Sequence, residues 1–297
     1  METIETMEKT LPTRGKVWLF VENEVGLIAI TAREGDGTQV VLEADTPAAA
    51  EFVEAAVIES RTHRGRDHVI VKVPRLHGMK FIRRNGVTIR IEVPIGSDVT
   101  VKAASAQVEL NGPLGAADVR TASGDVTTDD VEGMHAKTAS GDVEVGAVRG
   151  DLRLQTASGD LRCVKVDGRV SVKTASGDVE VGSAGDRVDV RCSSGDVRLG
   201  ELAGDLSVVA VSGDVQVLSL AAGRAHLRTV SGAVEVGIAR GVALEVDAEA
   251  MSGTVHSDIP LNDVPVRQSA GDRKVVVTVR TVSGNILVTR AAEAFAR

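Results

Sequence analysis

A Ser-Gly dipeptide returns along this chain at nearly constant spacing. Between residues 137 and 182 the phrases TASGDV, TASGDL and TASGDV follow one another eighteen residues apart. The pairs begin at Ser123, Ser140, Ser158, Ser176, Ser194, Ser212, Ser231, Ser252 and Ser283, and AASAQVEL supplies a degenerate earlier copy at Ser105. The intervals from Ser123 onward are 17, 18, 18, 18, 18, 19, 21 and 31 residues. An internal repeat of this length is typical of a solenoid, in which each copy packs on the next.

Each copy contains two short alternating segments. Glycines fall about every nine residues, and phrases such as DVEV, DLRL and DVRL follow them. Period-two alternation predicts a β-strand whose apolar face must be covered by the equivalent strand of the next copy. A hexad solenoid would place apolar residues six apart, but Val143 is followed at that distance by Arg149. The repeat therefore predicts an all-β, right-handed parallel β-solenoid with coils of about eighteen residues.

The two ends differ from the repeat. Residues 1–13 are predicted to be disordered, 14–100 to form a β-rich capping region, 101–290 to form the solenoid, and 291–297 to be a tail. The predicted capping region contains strands at 16–21, 26–31, 39–43, 68–73 and 87–93 and one short helix within 46–59. Four of the five aromatic residues lie before residue 82, so we expect the bulkier core there. VVVTVRTVSGNILV follows a Pro-bearing excursion and is expected to form the last turn.

The aspartates of the repeat form a column with two interpretations. The column consists of Asp125, Asp142, Asp160, Asp178, Asp196 and Asp214. One hypothesis is a row of cation sites, because calcium-binding β-rolls also repeat a Gly-Asp corner. The other is that each carboxylate accepts backbone N–H groups at its turn, helped by Ser, while Gly supplies the corner conformation. The absence of the doubled glycines of β-rolls favours the second hypothesis.

No pattern in the sequence indicates an enzyme. Nine equivalent Ser-Gly corners share no histidine partner at a fixed offset, and His135, His226 and His256 lie at unrelated repeat positions. The repeat region has no aromatic residues that could stack on sugars, no Cys/His spacing typical of a metal site and no glycine-rich phosphate loop. We therefore predict neither catalytic residues nor a cofactor.

Charge is distributed unevenly. The net charge of −8 argues against general nucleic-acid binding, yet residues 61–90 contain nine Lys and Arg against one acid, Asp67. This segment is either a solvated hairpin surface or a docking patch for an acidic partner, with an anionic membrane as a further alternative. The candidate patch consists of Arg61, Arg64, Arg66, Lys80, Arg83 and Arg84.

The cysteines and the N-terminus bear on the cellular compartment. Cys163 and Cys192 occupy different repeat positions and are expected to be free buried thiols. METIETMEKT has no apolar core of a signal peptide, and no apolar run is long enough for a transmembrane helix. We therefore expect a cytoplasmic protein, or a surface protein if an unrecognised route exports it.

The column of RTASGDV, KTASGDVEVG, SSGDVRLG and VSGDVQV, with IRIEVPIGSDVTVKAASAQVEL before it and RTVSGNILVTRA at its end, resembles the bacterial β-strand-repeat family named "putative adhesins". The resemblance extends from about residue 16 to residue 290. It implies a β-helix with a non-catalytic role and supplies no catalytic residues.

These observations together predict a non-enzymatic scaffold or binding module, adhesin-like but without an assigned partner. The alternative is a self-assembling cytoplasmic filament of stacked solenoids. The expected partner is another protein or a second copy of the chain, not nucleic acid. Membrane contact through residues 61–90 is the weaker expectation.

Overall fold

The computed structural model describes residues 5–74, 86–259 and 274–291. Two compact units, Met1–Gly150 and Asp151–Arg297, divide the chain. Both are built almost entirely from β-strands, and from Gln107 onward most strands pair in parallel with the strand one repeat away. The predicted all-β solenoid, with coils of about eighteen residues and an N-terminal β-rich region carrying one short helix, is confirmed.

The first unit contains eleven strands among its described residues, with a 3₁₀ turn at Pro47–Ala49 and a helix α1 at Ala50–Glu54. The strands are β1 (Thr6–Leu11), β2 (Trp18–Asn23), β3 (Gly26–Arg33), β4 (Thr38–Ala44), β5 (Val57–His63), β6 (Arg66–Lys72), β7 (Val87–Pro94), β8 (Asp98–Ala103), β9 (Gln107–Arg120), β10 (Val126–Lys137) and β11 (Val143–Val148). The helix is shorter than predicted, because the β-branched residues that start at Val57 pair as β5 instead.

Parallel pairing starts well before residue 101. One run of neighbours is β6, β2, β8, the second half of β9 and the second half of β10. The other is β7, β3, the first half of β9, the first half of β10 and β11. The antiparallel pairs among the described strands of this unit are β1 with β4, β4 with β7 and β5 with β6. The expectation that residues 1–13 are disordered is wrong for β1, which pairs with β4 along its whole length.

The core of the first unit is aliphatic rather than aromatic. Its largest fully buried side chains include Leu19, Ile28 and Ile89. Trp18 and Phe20 lie on the opposite face of β2 and are only half-buried. The core is bulkier here than in the repeat, as expected, but Leu and Ile supply the bulk, because alternation along β2 turns the aromatic residues outward and the aliphatic ones inward.

The second unit contains two parallel sheets. Its strands are β12 (Leu152–Gln155), β13 (Leu161–Val166), β14 (Val170–Ser176), β15 (Val179–Ala184), β16 (Val188–Ser194), β17 (Val197–Leu202), β18 (Leu206–Ser212), β19 (Val215–Leu220), β20 (Gly223–Ser231), β21 (Val234–Ile238), β22 (Ala243–Ser252), β23 (Val255–Ser257), β24 (Lys274–Ser283) and β25 (Ile286–Arg290). One sheet follows the order β12, β14, β16, β18, β20, β24, β22. The other follows β13, β15, β17, β19, β21, β25, β23.

The last copy of the repeat is not the last turn of the stack. β24 lies between β20 and β22, so Val277 pairs with Ala225 on one side and with Val246 on the other. The inward residues of β24 are fully buried valines, whereas β22 carries smaller and more acidic residues. Large apolar side chains contribute more free energy of burial on a strand that is covered on both sides. This accounts for the position of β24 inside the stack and of β22 at its edge. The tail beyond residue 291 lies outside the described residues.

Candidate functional site

The predicted basic patch divides into residues with different roles. Arg66 holds the first turns together: its guanidinium donates to Asp98 Oδ2 at 2.6 Å, to the Val17 carbonyl at 2.6 Å and to the Lys16 carbonyl at 3.3 Å. The planar fork of the guanidinium reaches three acceptors from separate nitrogen atoms, a geometry that the single ammonium nitrogen of lysine does not reproduce. Arg66 is therefore committed to internal contacts.

The rest of the patch is less concentrated than the sequence suggests. Arg61 is exposed and forms an ion pair with Glu59 at 2.7 Å. Arg64 occupies the turn between β5 and β6, with a φ of 51°. Asp67, the only acid of residues 61–90, accepts hydrogen bonds from Thr62 Oγ1 and the Arg14 N–H, which hold the pKa of its carboxyl below the usual value. Lys80, Arg83 and Arg84 lie outside the described residues, so the patch as a whole stays a prediction.

An aromatic cluster lies beside this hairpin on the outer face of β2 and β6. The Trp18 ring centroid is 6.1 Å from that of Phe20 and 5.1 Å from that of His68. His63 meets His68 edge-on at 5.7 Å. Parallel pairing of Trp18 with His68 and of Phe20 with Ile70 produces this arrangement, because residues in register project from the same face.

Two ammonium groups flank Phe20. Lys72 Nζ lies 5.2 Å and Lys102 Nζ 5.4 Å from the centre of its ring. Both lysines are in register with Glu22, one on each neighbouring strand. Within the part of the chain that the structure describes, neither ammonium lies within ion-pair distance of a carboxylate. Each contact with the ring contributes about 0.5–1 kcal/mol at an exposed site. The aromatic ring thus holds both ammonium groups on one outer face, with Glu22 in register between the two lysines.

A groove of about 310 Å³ continues from this cluster along the strands. It lies where β2, β8 and β9 end and has a floor of small residues. The lining residues are Glu22, Asn23, Glu24, Lys102, Ala103, Ala104, Arg120, Thr121 and Ala122. Charges of both signs line it, and Arg120 is partly neutralised by Asp118 at 3.1 Å. The aromatic rings, the two ammonium groups and the adjoining groove thus form one continuous outer surface of the first unit.

Sequence reasoning missed this surface, although the signal was present. In VWLFVEN the valines and Leu19 occupy alternate positions, which forces Trp18 and Phe20 to the other face of the same strand. The neighbouring strands that bring Lys72 and Lys102 to Phe20 could not be identified without the pairing register.

The aspartate column forms a ladder of side-chain to backbone hydrogen bonds. In the first unit Asp125 Oδ1 accepts the N–H of Asp142 at 3.0 Å. In the second unit the Oδ1 atoms of Asp160, Asp178 and Asp196 each accept the N–H of the aspartate in the next turn, at 2.8–2.9 Å. Asp214 does the same for Ala233 at 2.8 Å. No group of three or more His, Cys, Asp or Glu placed to hold a metal ion occurs among the described residues. Cation binding by the aspartate column remains a hypothesis.

Threonine, not serine, assists some of the corners. Thr138 Oγ1 accepts the N–H of Gly141 at 2.8 Å, and Thr156 does so for Gly159 at 2.9 Å. From Gly177 onward the corner glycines have positive φ, and the N–H of Gly177 bonds instead to the Ser194 carbonyl of the next turn. A Cβ at Gly195 would lie 2.3 Å from the Gly177 carbonyl oxygen, so close stacking excludes a side chain there.

The remaining chemical candidates are dispersed. His135 Nδ1 lies 3.4 Å from Asp118, and His256 Nε2 lies 2.9 Å from Asp258. His226 stands between Ser207 and Thr278 on neighbouring strands. Cys163 and Cys192 are buried and not disulfide-bonded. Burial raises the pKa of the Cys163 thiol to about 12 and also raises that of Cys192.

Similarities to known proteins are found among solved structures. Among curated proteins no match was found. A "putative adhesin" from Bacteroides fragilis has a similar structure, with a TM-score of 0.45 and 12% identity over 97% of this chain and 98% of that one. A "putative cell adhesion protein" from Clostridium sporogenes gives a TM-score of 0.30 and 11% identity over 97% and 100%. A "putative lipid binding protein" from Parabacteroides distasonis gives 0.34 and 11% over 94% and 97%.

In the described part of the chain no helix has the length and apolarity to cross a membrane.

The model of the Toastrack family, a domain of unknown function designated DUF4097, matches residues 58–289. This match covers more than three quarters of the chain and includes the repeat and the strands from β5 to β8 that precede it. The chain therefore belongs to the Toastrack family.

Proposed function

We propose that this protein is a non-enzymatic binding module in which the solenoid serves as a rigid scaffold. Its contact surface is the outer face formed by Trp18, Phe20, His68, Lys72 and Lys102, together with the adjoining groove. The partner is an acidic polypeptide segment. The observation that carries the proposal is the placement of two ammonium groups on an outward-facing aromatic ring, in a unit that has no aromatic side chain among its described buried residues.

The shape and charge of the surface favour a polypeptide over a membrane. A groove with a floor of alanines accepts a narrow chain, whereas a lipid surface is broad and is better matched by a protruding element. Glu22 stands between the two lysines in register and would repel a continuous layer of negative charge. A peptide that carries both carboxylates and apolar side chains can pair with the lysines and pack on the aromatic rings.

Trp18 provides a direct readout of this surface. It is the only tryptophan, and the chain contains no tyrosine, so its fluorescence reports on one place. We would titrate the full chain with an acidic peptide, EAFEEFAE, and with its basic counterpart KAFKKFAK. The acidic peptide is expected to change the Trp18 emission saturably and less strongly at high salt, whereas the basic peptide should leave it unchanged.

Matched variants test the assigned residues. Lys72→Ala combined with Lys102→Ala should weaken binding of the acidic peptide at least tenfold. Lys173→Ala combined with Arg198→Ala removes the same charge from the second unit and should have no effect. Equal binding of both peptides, or equal loss in both double variants, would exclude this surface. A response to vesicles of phosphatidylglycerol without a response to the acidic peptide would instead assign the surface to a membrane.

A further inference from the structure

The outermost turn of the second unit leaves its apolar interior partly open. β22 pairs with β24 along one edge, and no strand among the described residues pairs with its other edge. Leu244, Val246 and Ala248 point inward yet remain half-exposed. Their partners on β24 are completely buried valines. Val255 of β23 is likewise 50% exposed, whereas its partner Ile286 is 1% exposed. One more strand on this edge would complete the burial.

The outward side of β22 is acidic. Glu245, Asp247 and Glu249 alternate with the inward residues and are about two-thirds exposed, at 64%, 65% and 67%. On the covered side, β24 supplies the matching cations. Lys274 Nζ lies 2.7 Å from Glu245, and Arg280 contacts both Asp247, at 3.0 Å, and Glu249. The edge of β22 that is already paired thus accepts a strand with buried valines on its inner face and a cation at each end of its outer row.

We propose that the open edge of β22 binds an extended cationic segment of another polypeptide by β-strand addition. The bound segment would carry Lys or Arg at alternate positions, opposite the three carboxylates, and apolar residues between them, over Leu244, Val246 and Ala248. Backbone hydrogen bonds supply affinity in this mode, and the alternating side chains supply selectivity. This interface is distinct from the aromatic and lysine surface of the first unit and requires a partner of the opposite charge.

A second copy of the chain fits this edge poorly. If two β22 strands paired about a two-fold axis, the acidic row of one would face the acidic row of the other. Like charges directly opposite each other on neighbouring strands are destabilising, and charged edge strands commonly prevent such pairing. The same row that selects a cationic segment therefore disfavours self-association through this edge.

The test uses the full chain and a fluorescein-labelled peptide, KVKVRVTV, with EVEVEVTV as its charge-reversed counterpart. Fluorescence anisotropy should show saturable binding of the cationic peptide and at least tenfold weaker binding of the acidic one. Hydrogen exchange of the complex should show added protection at residues 243–252, because strand addition pairs the open edge. Binding without protection there, or no binding at all, would overturn the proposal.

Two double variants test whether binding of the cationic peptide depends on the carboxylates of β22 or only on the net charge of the chain. The double variant Asp247→Asn with Glu249→Gln keeps the size of both side chains and their ability to form hydrogen bonds. It should weaken binding of the cationic peptide about tenfold. Glu180→Gln with Glu201→Gln makes the same change in the middle of the unit and should leave binding unchanged. Circular dichroism should confirm that both remain folded. Dimers at micromolar concentration that involve residues 243–252 would assign the edge to a second copy and so contradict the proposal.

Discussion

The carboxylate of Asp178 accepts the backbone N–H of Asp196, one turn further along the second unit, at 2.8 Å. Asp196 repeats the contact with Asp214 at 2.9 Å. Asn285 occupies the equivalent corner of a later copy and accepts the N–H of Thr254 through its Oδ1 at 3.0 Å. An oxygen at this position, rather than a negative charge, is therefore what the stack requires.

Asp178→Asn should consequently leave the free energy of unfolding nearly unchanged, whereas Asp178→Ala should lower it by about 1 kcal/mol, the usual net worth of one hydrogen bond. Asparagine keeps the acceptor and removes one charge from a column of like charges. Urea denaturation of both variants beside the parent chain measures the difference. Equal destabilisation by both substitutions would contradict this account, because it would show that the charge itself matters.

Equivalent threonines should respond oppositely to the same substitution. Thr138 Oγ1 accepts the N–H of Gly141, whereas the buried Oγ1 of Thr174 has no hydrogen-bond partner among the described residues. Thr138→Val should cost about 1–3 kcal/mol, because a buried N–H loses its acceptor. Thr174→Val should stabilise by up to about 1 kcal/mol, because an unsatisfied hydroxyl leaves the interior. Each variant is the control for the other in urea denaturation, and effects of the same sign would contradict the assignment.

Two arginines of the predicted basic patch should differ in their sensitivity to lysine. Arg66→Lys should lower the free energy of unfolding by about 1–2 kcal/mol, because lysine cannot reproduce the fork to Asp98 and the two carbonyl oxygens. Arg61→Lys should change it by less than about 0.5 kcal/mol, since its ion pair with Glu59 is exposed. Thermal unfolding of both variants distinguishes them, and a neutral Arg66→Lys would show that the fork is dispensable.

The Cys163 thiol should be unreactive in the folded chain. Burial raises its pKa to about 12 from an ordinary value near 9, so at pH 8 its thiolate fraction falls by about two to three orders of magnitude. Modification by a disulfide reagent should be slower by at least that factor than in urea, with a Cys192→Ala background isolating the site. Because the folded state holds the proton more tightly, stability from this group is present below the unfolded pKa and is lost as the pH rises from about 9 towards 12. Rapid labelling at pH 8 without denaturant would contradict this prediction.

The positions equivalent to Cys163 in the following copies of the repeat carry apolar residues. Cys163 pairs in register with Val181, which in turn pairs with Leu199. Replacement by valine therefore provides a folded chain without this thiol for the labelling experiment, with little change in core volume.

The sequence by itself determined the repeat unit of this protein. Strand period, glycine corners and the eighteen-residue spacing act between adjacent copies, so local alternation and stacking suffice to predict parallel strands such as β15 and β17 and their register. The resemblance to adhesin-like proteins also agrees with the Toastrack family to which the chain belongs. The choice of a hydrogen-bonded corner for Asp178 followed from the same pattern, although the acceptor geometry between turns did not.

Only the tertiary structure decided what depends on contacts between segments distant in sequence. The two lysines at Phe20 come from strands fifty-two and eighty-two residues further along the chain, so no local pattern predicts their meeting. The insertion of β24 between β20 and β22 likewise reverses the chain order, because burial on both sides favours the strand richest in valine. Sequence spacing fixes which strands can stack, whereas the free energy of burial decides which of them lies inside and which remains at the edge.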